Sequence, residues 1–203
     1  MHFDSVTLRE IALDLVAPFE TSFGRTTSRR IILVEVVAGN TSGWGECTAS
    51  EGPFFNDEFT DGAWELIRLF VAPTIAAVDV DDPESVSAAL EPIRGNRMAR
   101  AAVETAVWDL AARRRGVPLC RMLGGERPAI ECGVSIGLQA TVDKLLEKVG
   151  REVDAGYRRI KIKIAPGRDI ALVAAVRERF GDIVLSVDAN SAYTLADADT
   201  LAE

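Results

Sequence analysis

Lys161-Ile162-Lys163 reads as a short strand, and Asp188-Ala189-Asn190 ends another strand about one strand-helix unit later. Residues two apart in a strand share a face. Lys161 and Lys163 therefore point one way and Ile160, Ile162 and Ile164 the other, while Asp188 and Asn190 share a face against Val187 and Ala189. Two amines and a carboxylate on neighbouring strands suit proton abstraction beside a metal site. The competing reading is a solvated edge, where lysines guard against mispairing. In a central parallel strand both faces are covered, and two inward lysines are then costly without a function. Mutual repulsion and partial burial both favour the neutral amine, which can serve as a base. Asp188 is an oxygen donor of the kind a hard divalent ion takes. One carboxylate is not a metal site, however, and Asp and Asn also serve as caps and turns. Weaker signals come from Ser135, flanked at two residues' distance by Gly133 and Gly137, and from Phe19 and Phe23 in a polar loop. A close-packing position and loop-packing aromatics explain these as well.

The elements that must position these residues fall into two patterns. Strand-like stretches occupy 4–16 and 30–38, with Gly43-Trp44-Gly45-Glu46-Cys47 as a third strand, giving a three-stranded antiparallel meander. The loop from Pro18 to Arg25 separates the first two strands, and a second loop spans 49–57. Helical spacing begins near Thr60 with Trp64, Ile67 and Val71, and Pro73 interrupts or bends that run. Pro83 can open a second helix that buries Val86 and Leu90. The third, at about 97–115, lines one side with Ala102, Ala106 and Leu110 or Ala111. It ends in Arg113, Arg114, Arg115 and a closing Gly116. Gly124-Gly125 reads as a turn at the junction of two domains.

From about residue 129 strand and helix alternate strictly. Strands are expected at Glu131–Leu138, Arg159–Ile164 and Ile183–Asn190. Helices are expected from a Thr141 cap to Gly156, over Ile170–Phe180, and from the Thr194-x-x-Asp197 box onward. Ser135 to Lys161 is 26 positions and Lys163 to Asp188 is 25, a regular repeat that suggests a parallel sheet, open or closed as a barrel. Polar residues on one face and apolar ones on the other favour the barrel, whose chemistry sits at the C-terminal strand ends. Three strands of an expected eight cannot close, so about five units, on the order of 125 residues, are expected beyond this chain. The predicted organisation is an α+β domain at 1–127 followed by the first part of a (β/α) barrel domain at 128–203.

The chain has 203 residues, 48% of them hydrophobic and 27% charged, enough for a real core. A net charge of −8 argues against nucleic acid or an anionic membrane as partner. Cys47, Cys120 and Cys132 are odd in number and widely spaced, which suggests a reducing compartment and no zinc site. No signal-peptide pattern opens the sequence, and no apolar run approaches the ~20 residues of a membrane span, so a cytoplasmic location is expected. The only histidine is His2, which excludes Ser-His, Cys-His and His-ligated zinc chemistry within these residues.

Several segments, in this order and spacing, resemble the enolase superfamily across essentially the whole chain. They are Gly43-Trp44-Gly45-Glu46, Ala101 to Leu110, Gly116-Val117-Pro118-Leu119 leading to Leu123-Gly124-Gly125, the Lys-x-Lys strand and the Asp-Ala-Asn strand end. Val134-Ser135-Ile136-Gly137, Ile160 to Ile164 with Pro166-Gly167, and Asp188 to Thr194 look most like the o-succinylbenzoate synthase and N-succinylamino acid racemase group. The resemblance implies an α+β capping domain and the first three βα units of a TIM-like (β/α)7β barrel, incomplete in this chain. It implies Lys163 as the acid/base, Lys161 as the carboxylate contact that tunes it, and Asp188 as the first of three ligands to Mg²⁺, or alternatively Mn²⁺. Ser135 and Asn190 would hold substrate, with Phe19 and Phe23 shaping specificity. The implied activity is dehydration in menaquinone biosynthesis, with racemisation or a muconate cycloisomerase-like reaction as alternatives. Implied partners are a small carboxylate substrate and the missing C-terminal barrel half, with a homo-oligomer left open. A reading of another class makes the chain a non-catalytic fragment or subunit that needs its complement.

Overall fold

The computed structural model describes residues 2–202. These pack as two compact units: residues up to Asp14 with Ser28–Arg127, and Leu15–Thr27 with residues from Pro128 onward.

β1 (Ser5–Glu20), β2 (Arg25–Ala38) and β3 (Thr41–Cys47) form a sheet in that order, with the β1–β2 tip at Leu15–Thr27 belonging to the second unit. The loop expected from Pro18 to Arg25 is shorter than foreseen, because β1 runs through Phe19 and β2 begins at Arg25. Pro18 is tolerated since β1 is an edge strand, where a missing N–H need not face a partner. A tight turn remains, with the Thr21 N–H donating to the Gly24 carbonyl at 2.9 Å. On β2 the alternation buries Ile32, Val34, Val36 and Ala38. Antiparallel pairing sets Val34 opposite Gly45 and Val36 opposite Gly43. Those two glycines let a helix approach. A Cβ on Gly45 would lie 1.9 Å from the Ala102 carbonyl oxygen, and one on Gly43 would lie 2.2 Å from that of Ala106.

Helix α1 (Thr60–Leu66) continues through a π-helical turn at Ile67–Val71 into α2 (Ala72–Ile75). Pro73 lies in the first turn of that last piece. The break expected at Pro73 is thus a widening of the turn before it, which accommodates a ring that clashes with the carbonyl four residues back. Helix α3 (Glu84–Ala89) follows Pro83, with Val86 and Leu90 fully buried. Helix α4 (Arg97–Arg115) buries Ala102, Ala106 and Leu110 and closes on a left-handed Gly116. Its first turn is capped from afar: Glu58 accepts the N–H groups of Met98 at 2.9 Å and Ala99 at 3.1 Å. A carboxylate at a helix N-terminus also offsets the helix dipole. A short helix, α5 (Leu119–Met122), precedes Gly124-Gly125.

The second unit carries a parallel sheet in the order β4 (Gly133–Ile136), β5 (Arg159–Lys163), β6 (Val184–Asp188). Helices α6 (Val142–Asp154) and α7 (Ile170–Phe180) make the crossovers. Ile136, Ile160, Ile162, Leu145, Val149, Leu172 and Val176 form its core. The Thr141 hydroxyl caps α6 through the Lys144 N–H, and Gly181, in the left-handed region, ends α7. The Thr194–Asp197 capping box opens a 3₁₀ turn at Leu195–Asp197 that runs into α8 (Ala198–Ala202). All three parallel strands are shorter than expected. For β6 the reason is conformational: Asn190 and Ser191 have φ of 50° and 62°, left-handed geometry that ends a strand. No helix among the described residues is long and apolar enough to cross a membrane.

Candidate active site

Parallel register brings the polar residues into rows. Ser135, Lys161 and Ser186 are neighbours across the sheet, and Lys163 and Asp188 form the next row toward the C-terminal strand ends. Ile160, Ile162 and Ile164 fill the opposite face and are buried. The alternation expected for the two lysines is therefore the observed one. Lys163 is 6% exposed, whereas the side chain of Lys161 is 39% exposed.

Both ammonium groups converge on a single oxygen. Lys163 Nζ donates to Asp188 Oδ2 at 2.8 Å and Lys161 Nζ donates to the same atom at 3.0 Å. Lys163 also donates to Asn190 Oδ1 at 2.5 Å. These contacts use two of the three Nζ donors, and the third has no partner among the described residues. Asp188 Oδ1 accepts the Asn190 N–H at 2.9 Å. The bond from Lys163, then that N–H, then the bond from Lys161 hold the Asp188 carboxyl well below the usual carboxylate range, outweighing desolvation. The sequence reading set the lysines against each other; the structure places a shared carboxylate between them.

Asn190 does not share a strand face with Asp188 as expected, because β6 has already ended. It reaches Lys163 from a left-handed turn instead. Such backbone persists in non-glycine residues only when its surroundings over-determine it. Here the Ala189 carbonyl accepts the Ala192 N–H at 3.2 Å, and the Ile164 N–H donates to the Asp188 carbonyl at 3.1 Å. The Tyr193 hydroxyl donates to Asp169 at 2.6 Å, tying the segment to the first turn of α7, where Asp169 also accepts the Ile170 N–H. Sequence reasoning missed Asp169 and Tyr193. An Asp just before the apolar run of α7 was the available signal for the first.

Ser135 lies one row below Lys163, and among the described residues no hydrogen bond joins it to the cluster. Phe19 lies near the end of β4, where a Cβ on Gly137 would be 3.5 Å from its ring. Phe23 sits in the β1–β2 turn and is 53% exposed. Among the described residues no three His, Cys, Asp or Glu side chains group as they must around an ion. Asp188 is the right kind of donor for a hard cation, but a shell of about six oxygens needs more than this one carboxylate. These residues alone do not fit a metal centre.

An antiparallel sheet under a long helix, then parallel βα units ending in paired lysines and an aspartate, defines a class. The chain belongs to the enolase superfamily: residues 4–124 match the mandelate racemase / muconate lactonizing enzyme N-terminal domain, and residues 144–203 match the enolase C-terminal domain-like family. It is 47% identical to an o-succinylbenzoate synthase of Geobacillus kaustophilus over 99% of this chain and 54% of that protein. It is 43% identical to an N-succinylamino acid racemase of Amycolatopsis over 100% of this chain and 55% of that protein. A crystal structure of an enolase superfamily member from Listeria innocua superposes with a TM-score of 0.93 at 40% identity, covering 99% of this chain and 54% of that one. The chain thus spans about half the length of the curated relatives it matches.

Proposed function

We propose that these residues belong to an o-succinylbenzoate synthase-like enzyme that removes a proton α to a carboxylate. The observation that carries this reading is Lys163, a buried amine at a strand end with one uncommitted donor direction. In its neutral form Nζ takes the α-proton. The ammonium so formed is held by Asp188 Oδ2 and Asn190 Oδ1. In dehydration that proton leaves with the departing hydroxide as water, and a carbon–carbon double bond remains. Lys161 orients the substrate carboxylate beside Lys163, with Ser135, Asn190, Phe19 and Phe23 around the substrate. Mg²⁺, or Mn²⁺ in its place, would supply positive charge near that carboxylate, with Asp188 as one ligand and the others from outside residues 2–202.

A second reading, N-succinylamino acid racemisation, is favoured by the 43% identity to the Amycolatopsis racemase. It needs a second acid on the opposite face of the substrate. Both readings are tested by assaying protein from the complete coding sequence with each substrate, with and without a chelator, and then with Lys163→Ala. The expected result is Mg²⁺-dependent turnover that falls in the variant by about 10²- to 10⁴-fold, the usual worth of a general base. Undiminished turnover in Lys163→Ala would remove the assignment. The ratio of the two kcat/KM values decides between synthase and racemase.

A further inference from the structure

We propose that Phe19–Ser22 is a two-point strap that fixes the Asp188–Asn190 turn, with Ser22 as a positioning residue and Gly137 as its seat. The proposal rests on the reading of Lys163, Asp188 and Asn190 as the site. At one anchor the Leu138 N–H donates to the Glu20 carbonyl at 2.9 Å. A Cβ on Gly137 would stand 2.9 Å from the Glu20 oxygen and 3.0 Å from its nitrogen, so only glycine admits this approach. At the other anchor the Ser22 hydroxyl donates to the Ala189 carbonyl at 2.7 Å, across 167 residues of sequence.

Ala189 lies between the carboxylate and the amide that bind Lys163 Nζ. In the order β4-β5-β6 the two anchors stand beyond the ends of the outer strands, about 10 Å apart by strand spacing. The strap therefore links the segment just after β4 to the segment just after β6. Nothing in an Asn-Ser pair enforces two successive left-handed residues. The Ser22 bond supplies part of that enforcement by fixing the direction of the Ala189 carbonyl. Without it the turn can relax, and Asn190 Oδ1 swings away from Lys163.

Amide hydrogen exchange by NMR on the full chain tests this with Ser22→Ala, Ser22→Thr and Gly137→Ala. Ser22→Ala is expected to speed exchange at Asn190 and Ala192 roughly five- to tenfold, the effect of one lost hydrogen bond. Ser22→Thr, which keeps the hydroxyl, restores the slow rate. Gly137→Ala speeds Leu138 directly and, through the strap, Asn190 and Ala192, while Val149 and Val176 in the core keep their rates. Unchanged exchange at Asn190 and Ala192 in Ser22→Ala and Gly137→Ala overturns the proposal. A uniform rise that includes Val149 and Val176 and that threonine does not reverse overturns it too. Exchange needs no turnover, so its failure is distinct from failure of the Lys163 reading, which the Lys163→Ala assay reports.

Discussion

Lys163 and Asp188 depend on each other unequally. Asp188 retains Lys161 and the Asn190 N–H if Lys163 is lost, whereas Lys163 without Asp188 is a 6%-exposed ammonium with only the Asn190 amide oxygen. Leaving a buried charge without its counter-charge costs more than replacing it with an apolar group. Asp188→Ala should therefore destabilise the second unit by about 1–3 kcal/mol. Lys163→Met should cost about 1 kcal/mol or less. Urea unfolding of the two variants checks this, and the reverse ranking would contradict the burial argument. Period-2 alternation was enough to put the lysines and Asp188 on one wall. It could not place Asn190, because the left-handed turn is held by long-range bonds that leave no local sequence signal.

Helix α4 was legible almost to the residue, since its apolar spacing, terminal arginines and closing glycine all agree. The strand ends were not, and neither was the π-helical turn before Pro73, where tertiary fit decides. Two glycines of β3 carry a testable load. Gly45→Ala drives a methyl into the α4 backbone at Ala102 and should lower stability by about 1–3 kcal/mol or more, read as a fall in Tm. The Tyr193–Asp169 bond, which ties the segment after β6 to α7, predicts a pH dependence. Burial first, and then the bond to Asp169, push the Tyr193 phenol up from 10.0 to about 12. A raised folded value means the stabilisation is fully present below the unfolded value of about 10 and is lost as pH rises through about 12. Tyr193→Phe should abolish that alkaline loss, and chemical denaturation between these two pH values follows it. A difference between wild type and variant that stays constant across this range would contradict the assignment.

The chain partitions into two units whose boundary in space is not simply its boundary in sequence, because Leu15–Thr27 packs with the barrel strands. Periodicity located each element of that hairpin but carried no information about which unit holds its tip. The proposed chemistry rests on Lys163. Its most direct test is incorporation of solvent deuterium at the α-carbon of an N-succinylamino acid, followed by NMR with protein from the complete coding sequence. With the enantiomer whose α-proton faces Lys163, wild type should exchange that proton, and Lys163→Ala should lose at least about a hundredfold in rate. Exchange at the wild-type rate in Lys163→Ala would contradict the assignment of Lys163 as the base.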